Sequence, residues 1–193
     1  MTEQQQAGSA LIPKPAQIKR KLNCMKKITL IIVIAAFGYC NAQVAFGKTT
    51  LESASSSIEF GNENRGLVLP WVTNTSGIQN VVNGTLIFDT SDMKAKVYQN
   101  NLWKDLSVDG TGTADTSLQD GLTDQPDAEV SVGTPSSVSG ILVLEDNNKA
   151  MILPKVASPH LTIVSPAAGM IVYDTQKKQL AVFNGTVWSF WGE

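Results

Sequence analysis

Two Asp-Thr pairs, Asp89-Thr90 and Asp174-Thr175, are the residues whose type and repetition first suggest chemistry. They close two similar stretches, GTLIFDT and GMIVYDT. Glycoside hydrolysis needs two convergent carboxyl groups, and the copies share no second acid at a common spacing. An Asp that follows a strand instead accepts backbone N–H bonds, as Thr does more weakly. We therefore expect these four residues to hold turns, and we expect the protein not to be an enzyme.

Other chemistry-bearing residues are sparse. His160 is the only histidine, and both cysteines, Cys24 and Cys40, precede the mature chain that we predict below. Five Asp residues lie close together, but their spacing does not match the twelve-residue calcium loop. No phosphate-binding loop, nucleophile elbow or metal-binding helix motif occurs, so we predict no metal and no cofactor. The five are Asp109, Asp115, Asp120, Asp124 and Asp127.

The N-terminal part of the chain has the pattern of an export signal. Residues 25–42 have a basic start, about a dozen apolar residues and a small residue at the end. A membrane span would need about 20 apolar residues. We predict cleavage after Ala42, and we interpret residues 1–24 as a disordered upstream extension or a misassigned start. Tyr39 disfavours the alternative of lipidation at Cys40, which needs a small preceding residue.

The charge of the predicted mature chain limits its partners. Six of the fifteen Lys and Arg residues lie in the first 42 residues, with only one of the seventeen acids, Glu3. The remainder has nine bases and sixteen acids, a net charge of −7. Nucleic acids and anionic membrane surfaces require a basic patch, so neither is expected as a partner.

The mature chain is organised as two related copies. The first copy spans residues 43–107 and the second spans 129–193. Each contains three short apolar runs separated by polar turns, which predicts a three-strand antiparallel meander. Residues 108–128 are rich in Gly, Thr, Ser and Asp and predict a flexible linker. The predicted fold class is mainly β, with two similar small antiparallel β-meander modules preceded by a signal-peptide helix.

Four apolar residues are candidates for the core. Trp103 and Trp188 recur at one position of the repeat, and a repeated large aromatic residue is more often buried than a ligand platform. Leu69 and Leu153 precede matching prolines.

The features that the copies do not share are the candidates for binding. Trp71 and Trp191 have no aromatic counterpart in the other copy. An exposed aromatic ring at either position would stack on a sugar or anchor a partner protein. The loops at 73–83 and 157–168 also differ between the copies.

The order of the repeated features resembles a module of Bacteroidota surface and tail-fibre-like proteins. The resemblance lies in the Leu-Pro step, the variable loop, the stretch ending in Asp-Thr and the Trp-containing strand. It implies an exported structural role at the cell surface or outside the cell, with the periplasm as the alternative. The implied partner is a larger adhesin or fibre protein, or another copy of the chain.

A module of about 65 residues without disulfides is marginally stable alone. We therefore expect the modules to pack together or the protein to oligomerise. The alternative function is a carbohydrate-binding surface module that uses Trp71 and Trp191. After removal of the signal peptide, no membrane span is expected.

Overall fold

The chain divides into two compact units, residues 1–41 and 42–193. Most of the predicted extension and signal peptide lies outside the described residues, so both stay predictions. The described residues of the first unit are helical. The computed structural model describes residues 19, 23, 25–27, 43–117, 119–123, 125 and 128–191.

The regular structure of the second unit is mainly short β-strands, which confirms the predicted mainly β class. A 3₁₀ turn lies at Thr75–Gly77 and a one-turn helix, α1, at Pro159–Thr162. In chain order the strands are β1 Val44–Phe46, β2 Ser56–Phe60, β3 Leu67–Val68, β4 Trp71–Val72, β5 Leu86–Asp89, β6 Lys94–Gln99, β7 Leu102–Asp105, β8 Val130–Gly133, β9 Leu142–Glu145, β10 Ala150–Met151, β11 Lys155–Val156, β12 Met170–Asp174, β13 Gln179–Phe183 and β14 Trp188–Trp191.

Two sheets share one strand order. The first sheet is β4-β5-β6-β7, and the second sheet is β11-β12-β13-β14 with β3 as an additional strand. In both, the last three strands form an antiparallel meander. The leading strands β4 and β11 instead pair in parallel with β5 and β12, a pairing that the sequence analysis did not predict.

The Leu-Pro steps explain the position of the two leading strands. Pro70 and Pro154 come directly before β4 and β11. Proline has no N–H to donate, so it suits a strand at the edge of a sheet. Its carbonyl oxygen still accepts: the Phe88 N–H donates to Pro70 and the Tyr173 N–H donates to Pro154, each at 2.9 Å. The two variable loops are thus the crossovers between parallel strands.

The hairpin turns use residues that adopt the left-handed backbone conformation. Asn100 and Asn101, with φ of 53° and 61°, form the two-residue connection between β6 and β7. Two consecutive positive φ angles are typical of a type I′ turn, which asparagine tolerates. The preceding hairpins place Met93 (φ 58°) and Lys178 (φ 55°) at matching positions four residues after the Asp.

Strand pairing joins the two predicted modules. Strand β3 of the first module pairs with β12 of the second, and β10 of the second module pairs with β2 of the first. A third sheet, β1-β2-β10, is therefore built from both modules, and both of its strand pairs are parallel. Strands β8 and β9 form a separate parallel pair.

The two modules also share one hydrophobic core. Its buried residues come from both: Leu69, Phe88, Ala95, Ala168, Ile171 and Val182. Leu153 and Trp71 pack against this cluster, and the Trp71 indole N–H donates to the carbonyl oxygen of Ala168 at 2.8 Å. Gly169 has a φ of 75°, and a Cβ there would lie 2.8 Å from the Cβ of Phe88. The close approach of the sheets thus requires glycine at this position.

The first residues of the predicted linker contact the second sheet. Asn184 is fully buried, and its side-chain amide donates to the carbonyl oxygen (3.2 Å) and the carboxylate (3.1 Å) of Asp109. A Cβ on Gly112 would lie 2.0 Å from the Asn184 carbonyl oxygen. Ala114 packs against the shared core. These contacts cover residues 109–114, and the flexibility of the rest of the linker stays a prediction.

The left-handed residue Lys178 provides a test of the turn geometry. The Lys178 side chain is exposed, so the main effect of this residue on the free energy of unfolding comes from its positive φ. The substitution Lys178→Gly should stabilise the protein by about 0.5–1 kcal/mol, because glycine avoids the left-handed penalty but has more backbone entropy to lose. Chemical denaturation would measure this change. The control Lys177→Gly, at a neighbouring position without positive φ, should destabilise the protein instead.

Candidate functional site

The carboxylates of the two Asp-Thr pairs bond to the backbone of their own turns. The Asp89 carboxylate accepts from the N–H (2.9 Å) and the hydroxyl (2.6 Å) of Ser91. The Asp174 carboxylate accepts from the N–H of Gln176 (2.8 Å) and also from that of Ser158 (3.2 Å). Because Ser158 lies in the variable loop, Asp174 joins that loop to the hairpin.

The threonines of the same pairs continue the parallel strand pairing. The Thr90 N–H donates to the Val72 carbonyl oxygen at 2.8 Å, and the Thr175 N–H donates to that of Val156 at 3.0 Å. The Thr90 hydroxyl also donates to Val72. Each threonine therefore bonds to the strand that leads its sheet.

Asp174 is held as a carboxylate in a buried position. Burial raises the pKa of this group, but the hydrogen bonds from the N–H groups of Gln176, Lys177 and Ser158 lower it by a larger amount. Its pKa therefore lies below the ordinary value. The second carboxylate oxygen is buried and has no hydrogen-bond partner within the part of the chain that the structure describes.

A network of charged residues occupies the outer face of the first sheet. Lys96 is nearly buried and donates to the carboxylates of Asp92 and Asp105, while Lys94 donates to Asp105 at 2.8 Å. Asp89 lies 3.9 Å from the Lys96 ammonium. Burial lowers the pKa of Lys96, but the hydrogen bonds to Asp92 and Asp105 raise it more, so the net shift is upward. Both ammonium groups are therefore paired within this face, which has three carboxylates for two lysines.

Glu59 is a buried charged residue that the sequence analysis did not single out. Its side chain is 2 % exposed and accepts from the N–H groups of Glu52 and Ser53, the hydroxyl of Ser56 and the ammonium of Lys48. These four donors, led by the Glu52 N–H and the Lys48 ammonium, lower its pKa from 4.5 to about 2. The sequence signal that could have identified this residue is the presence of an acid within the strand-like run SIEF. The cluster ties the loop before β2 to its strand.

The other predicted tryptophans differ in exposure. Trp103 is half-buried against Tyr98, edge to face at 5.2 Å, and it lies outside both buried clusters of the described chain. Trp188 contacts Phe183 at 5.3 Å and packs on a second apolar cluster. Trp191 is 62 % exposed on the last strand of the second sheet. Only Trp191 among these three therefore offers most of its ring to solvent.

Exposed apolar residues lie on the last strand of the second sheet and in the variable loop beside it. Helix α1 and the residues after it expose Leu161 (76 %) and Val164 (88 %). The ring of His160, also in α1, contacts the exposed ring of Phe190 on β14 edge to face at 5.7 Å. We call Leu161, Val164 and Phe190 the apolar face. Exposed apolar surface of this kind favours a binding role.

The described part of the chain offers little support for other sites. No group of three or more His, Cys, Asp and Glu residues in it could hold a metal ion. In the same residues, no helix has the length and apolar character needed to cross a membrane.

The pKa of Glu59 predicts a specific pH dependence. Because the folded pKa is lower than the ordinary value of 4.5, the stabilisation from Glu59 is present above pH 4.5 and is lost as the pH falls towards 2. The variant Glu59→Gln should be less stable at pH 7 and should lose less stability between these pH values. Urea denaturation across this range would measure both effects. Glu63→Gln, at an exposed acid, should keep the parental profile.

The buried turn residue Asp174 predicts a stability difference between two variants. Asp174→Ala leaves the N–H groups of Gln176, Lys177 and Ser158 without their acceptor and should cost about 1–3 kcal/mol. Asp174→Asn keeps one acceptor oxygen of similar shape and should cost less. Thermal denaturation at neutral pH would compare them. Equal losses in both variants would show that the hydrogen bonds to this oxygen do not support the turn.

The comparison with known protein families identifies one related region. Residues 123–192 match the model of a family described as phage tail like trimerisation region. No curated protein and no solved structure matches the chain. The matched region covers β8 to β14 and includes α1, the apolar face and all strands of the second sheet except β3. The match agrees with the tail-fibre-like resemblance and indicates a structural protein that assembles through contacts between copies of its chain.

Proposed function

We propose that this protein is an exported structural protein of the cell surface, associated with adhesion, that works by assembling with other copies of itself. The match of residues 123–192 to a trimerisation region is the observation that carries the proposal. We infer three copies per assembly, with residues 123–192 forming the contacts. A larger adhesin or fibre protein is the proposed partner of the assembled form.

The chemistry of the described residues supports a structural role. The repeated Asp residues bond to turn backbone, and both lysines of the charged network on the first sheet are paired with carboxylates. Carboxylates that accept hydrogen bonds from turn backbone, or that are paired with lysine, stabilise a fold, which is the role proposed for them here. An assembly role requires no more than a stable scaffold and a surface, and the second unit has both.

The export part of the proposal rests on the sequence of residues 25–42, which has the basic start, apolar run and small-residue end of a signal peptide. The resemblance to Bacteroidota surface proteins extends this to the cell surface. The excess of acids in the rest of the chain fits a protein that works in solvent and away from nucleic acid.

Carbohydrate binding is the less favoured alternative. The indole N–H of Trp71 is occupied by the Ala168 carbonyl oxygen and its ring packs on the core. Trp191 is then the one candidate of the original pair with most of its ring exposed. Because sugar sites combine stacking with polar groups that fix orientation, one edge-strand tryptophan supports this function weakly.

The oligomeric state tests the proposal directly. The full chain, produced in a bacterial host that exports it, should sediment with the mass of three copies at equilibrium. Dilution should show cooperative dissociation without a stable dimer, because a closed three-fold ring loses two contacts when one copy leaves. A monomer at every concentration would contradict the proposal.

The export part of the proposal is tested by the N-terminus of the exported protein. N-terminal sequencing should give Gln43 as its first residue.

A further inference from the structure

The outer faces of the two sheets differ at equivalent positions. In the first sheet, Lys96 on β6 pairs across the strands with Asp105 on β7. In the second sheet, the corresponding pair is Ala181 on β13 and Phe190 on β14. The first sheet therefore has an outer face of paired charges, whereas the outer face of the second sheet is apolar at the equivalent positions.

The apolar outer face of the second sheet is covered in part by its own variable loop. Val156, Val172 and Ala181 are buried there, and Ile163 and Trp188 pack against them. Ile163 directly follows α1, so the helix is fixed over the sheet by this contact and by the contact between His160 and Phe190. The cover has an inner apolar side that packs on the sheet.

The same cover also has an outer apolar side. Leu161 is 76 % exposed, Val164 is 88 % exposed, and Phe190 beside the cover is 41 % exposed. Isolated exposed apolar residues are ordinary, but here Leu161 directly follows His160, whose ring contacts Phe190, and Val164 comes three residues later. Exposed apolar residues in adjoining segments of this kind mark a candidate interaction site.

Charge favours a second copy of the chain as the occupant of this patch. The predicted mature chain has a net charge of −7, so two copies repel each other over most of their surfaces. The loop 157–168 contains no Asp, Glu, Lys or Arg, and neither does the stretch 184–191. Copies therefore meet with the least repulsion at this face, where apolar contact also provides the driving force.

The position of the face in the sequence supports the same occupant. Leu161, Val164 and Phe190 all lie within the residues that match the trimerisation region. Phe190 belongs to β14, the last strand of the second sheet, whose outer edge pairs with no strand among the described residues. An open edge beside an apolar patch gives a second copy both backbone and side-chain contacts.

We infer that the apolar face formed by Leu161, Val164 and Phe190 is the contact by which copies of this chain associate. The inference rests on the proposed self-association and assigns it to one surface. In a closed three-fold assembly each copy contributes the same face, and residues near the axis meet their own counterparts. The charged outer face of the first sheet stays free for solvent or for another partner.

The test uses the full exported chain with substitutions at exposed positions. Leu161→Asp combined with Val164→Asp introduces charge into the face without removing a buried side chain. Phe190→Asp is the second variant, and it introduces the residue type of Asp105, which occupies the equivalent position of the first sheet. Leu102→Asp, at a 66 % exposed leucine on β7, is the matched control. Sedimentation equilibrium measures association, and circular dichroism verifies the fold.

The double variant and Phe190→Asp should each weaken association by at least about tenfold, whereas Leu102→Asp should associate as the parental chain does. A bismaleimide cross-linker should also join copies through Val164→Cys, but not through Val108→Cys, above the background of the unsubstituted chain.

The possible results separate the two claims. If the parental chain associates and the face variants associate equally well, the assignment to this face is wrong and the proposed self-association stands. If the control dissociates as much as the face variants, the assignment is also wrong. If the parental chain is a monomer, the proposed function fails and the inference fails with it.

Discussion

The structure depends on the apolar contact between the two sheets. Phe88 of the first sheet is completely buried, and the residues around it include Ile171 and Val182 of the second sheet. Each sheet alone is a short meander, and a sheet must bury one face to be stable. Gly169 allows the sheets to approach closely, because any side chain there would collide with Phe88. The remaining features of the second unit hold these two sheets in this arrangement.

Several bonds between the halves of the unit maintain the contact. The exchange of β3 and β10 places backbone hydrogen bonds across the boundary, so the sheets cannot separate without loss of strand pairing. The Trp71 indole adds a side-chain hydrogen bond across the same boundary, to the carbonyl oxygen of Ala168. Asn184 attaches the start of the linker segment to the second sheet. Two modules without disulfides thus become one unit by sharing strands as well as core residues.

The local parts of this fold could be predicted from the sequence, whereas the distant pairings could not. The meander strands show as β-branched and aromatic runs, and Asn100-Asn101 marks a tight turn, since both signals lie within a few residues. The parallel pairing of β4 with β5 joins residues separated by a variable loop, and the two-residue strands are too short to show a pattern. The burial of Glu59 depends on Lys48 and on backbone N–H groups from another loop, which composition does not show. Trp71 was expected to be a binding residue, but its ring packs on the core. Its partners there, such as Ala168, are distant in the sequence, so the sequence does not show this contact.

The candidate site follows from a difference between two similar scaffolds. The sequence repeat predicts which positions of the two sheets are equivalent. The structure shows that one such pair of positions holds Lys96 and Asp105 in the first sheet, and Ala181 and Phe190 in the second. The functional expectation for loop 157–168 came from its divergence alone. The structure adds the reason why divergence there matters, because Asp174 and Ile163 hold this loop over the sheet and leave Leu161 and Val164 facing outward. A loop held by such contacts loses little entropy when it binds, so the contacts that stabilise the second sheet would also favour the proposed association at its surface.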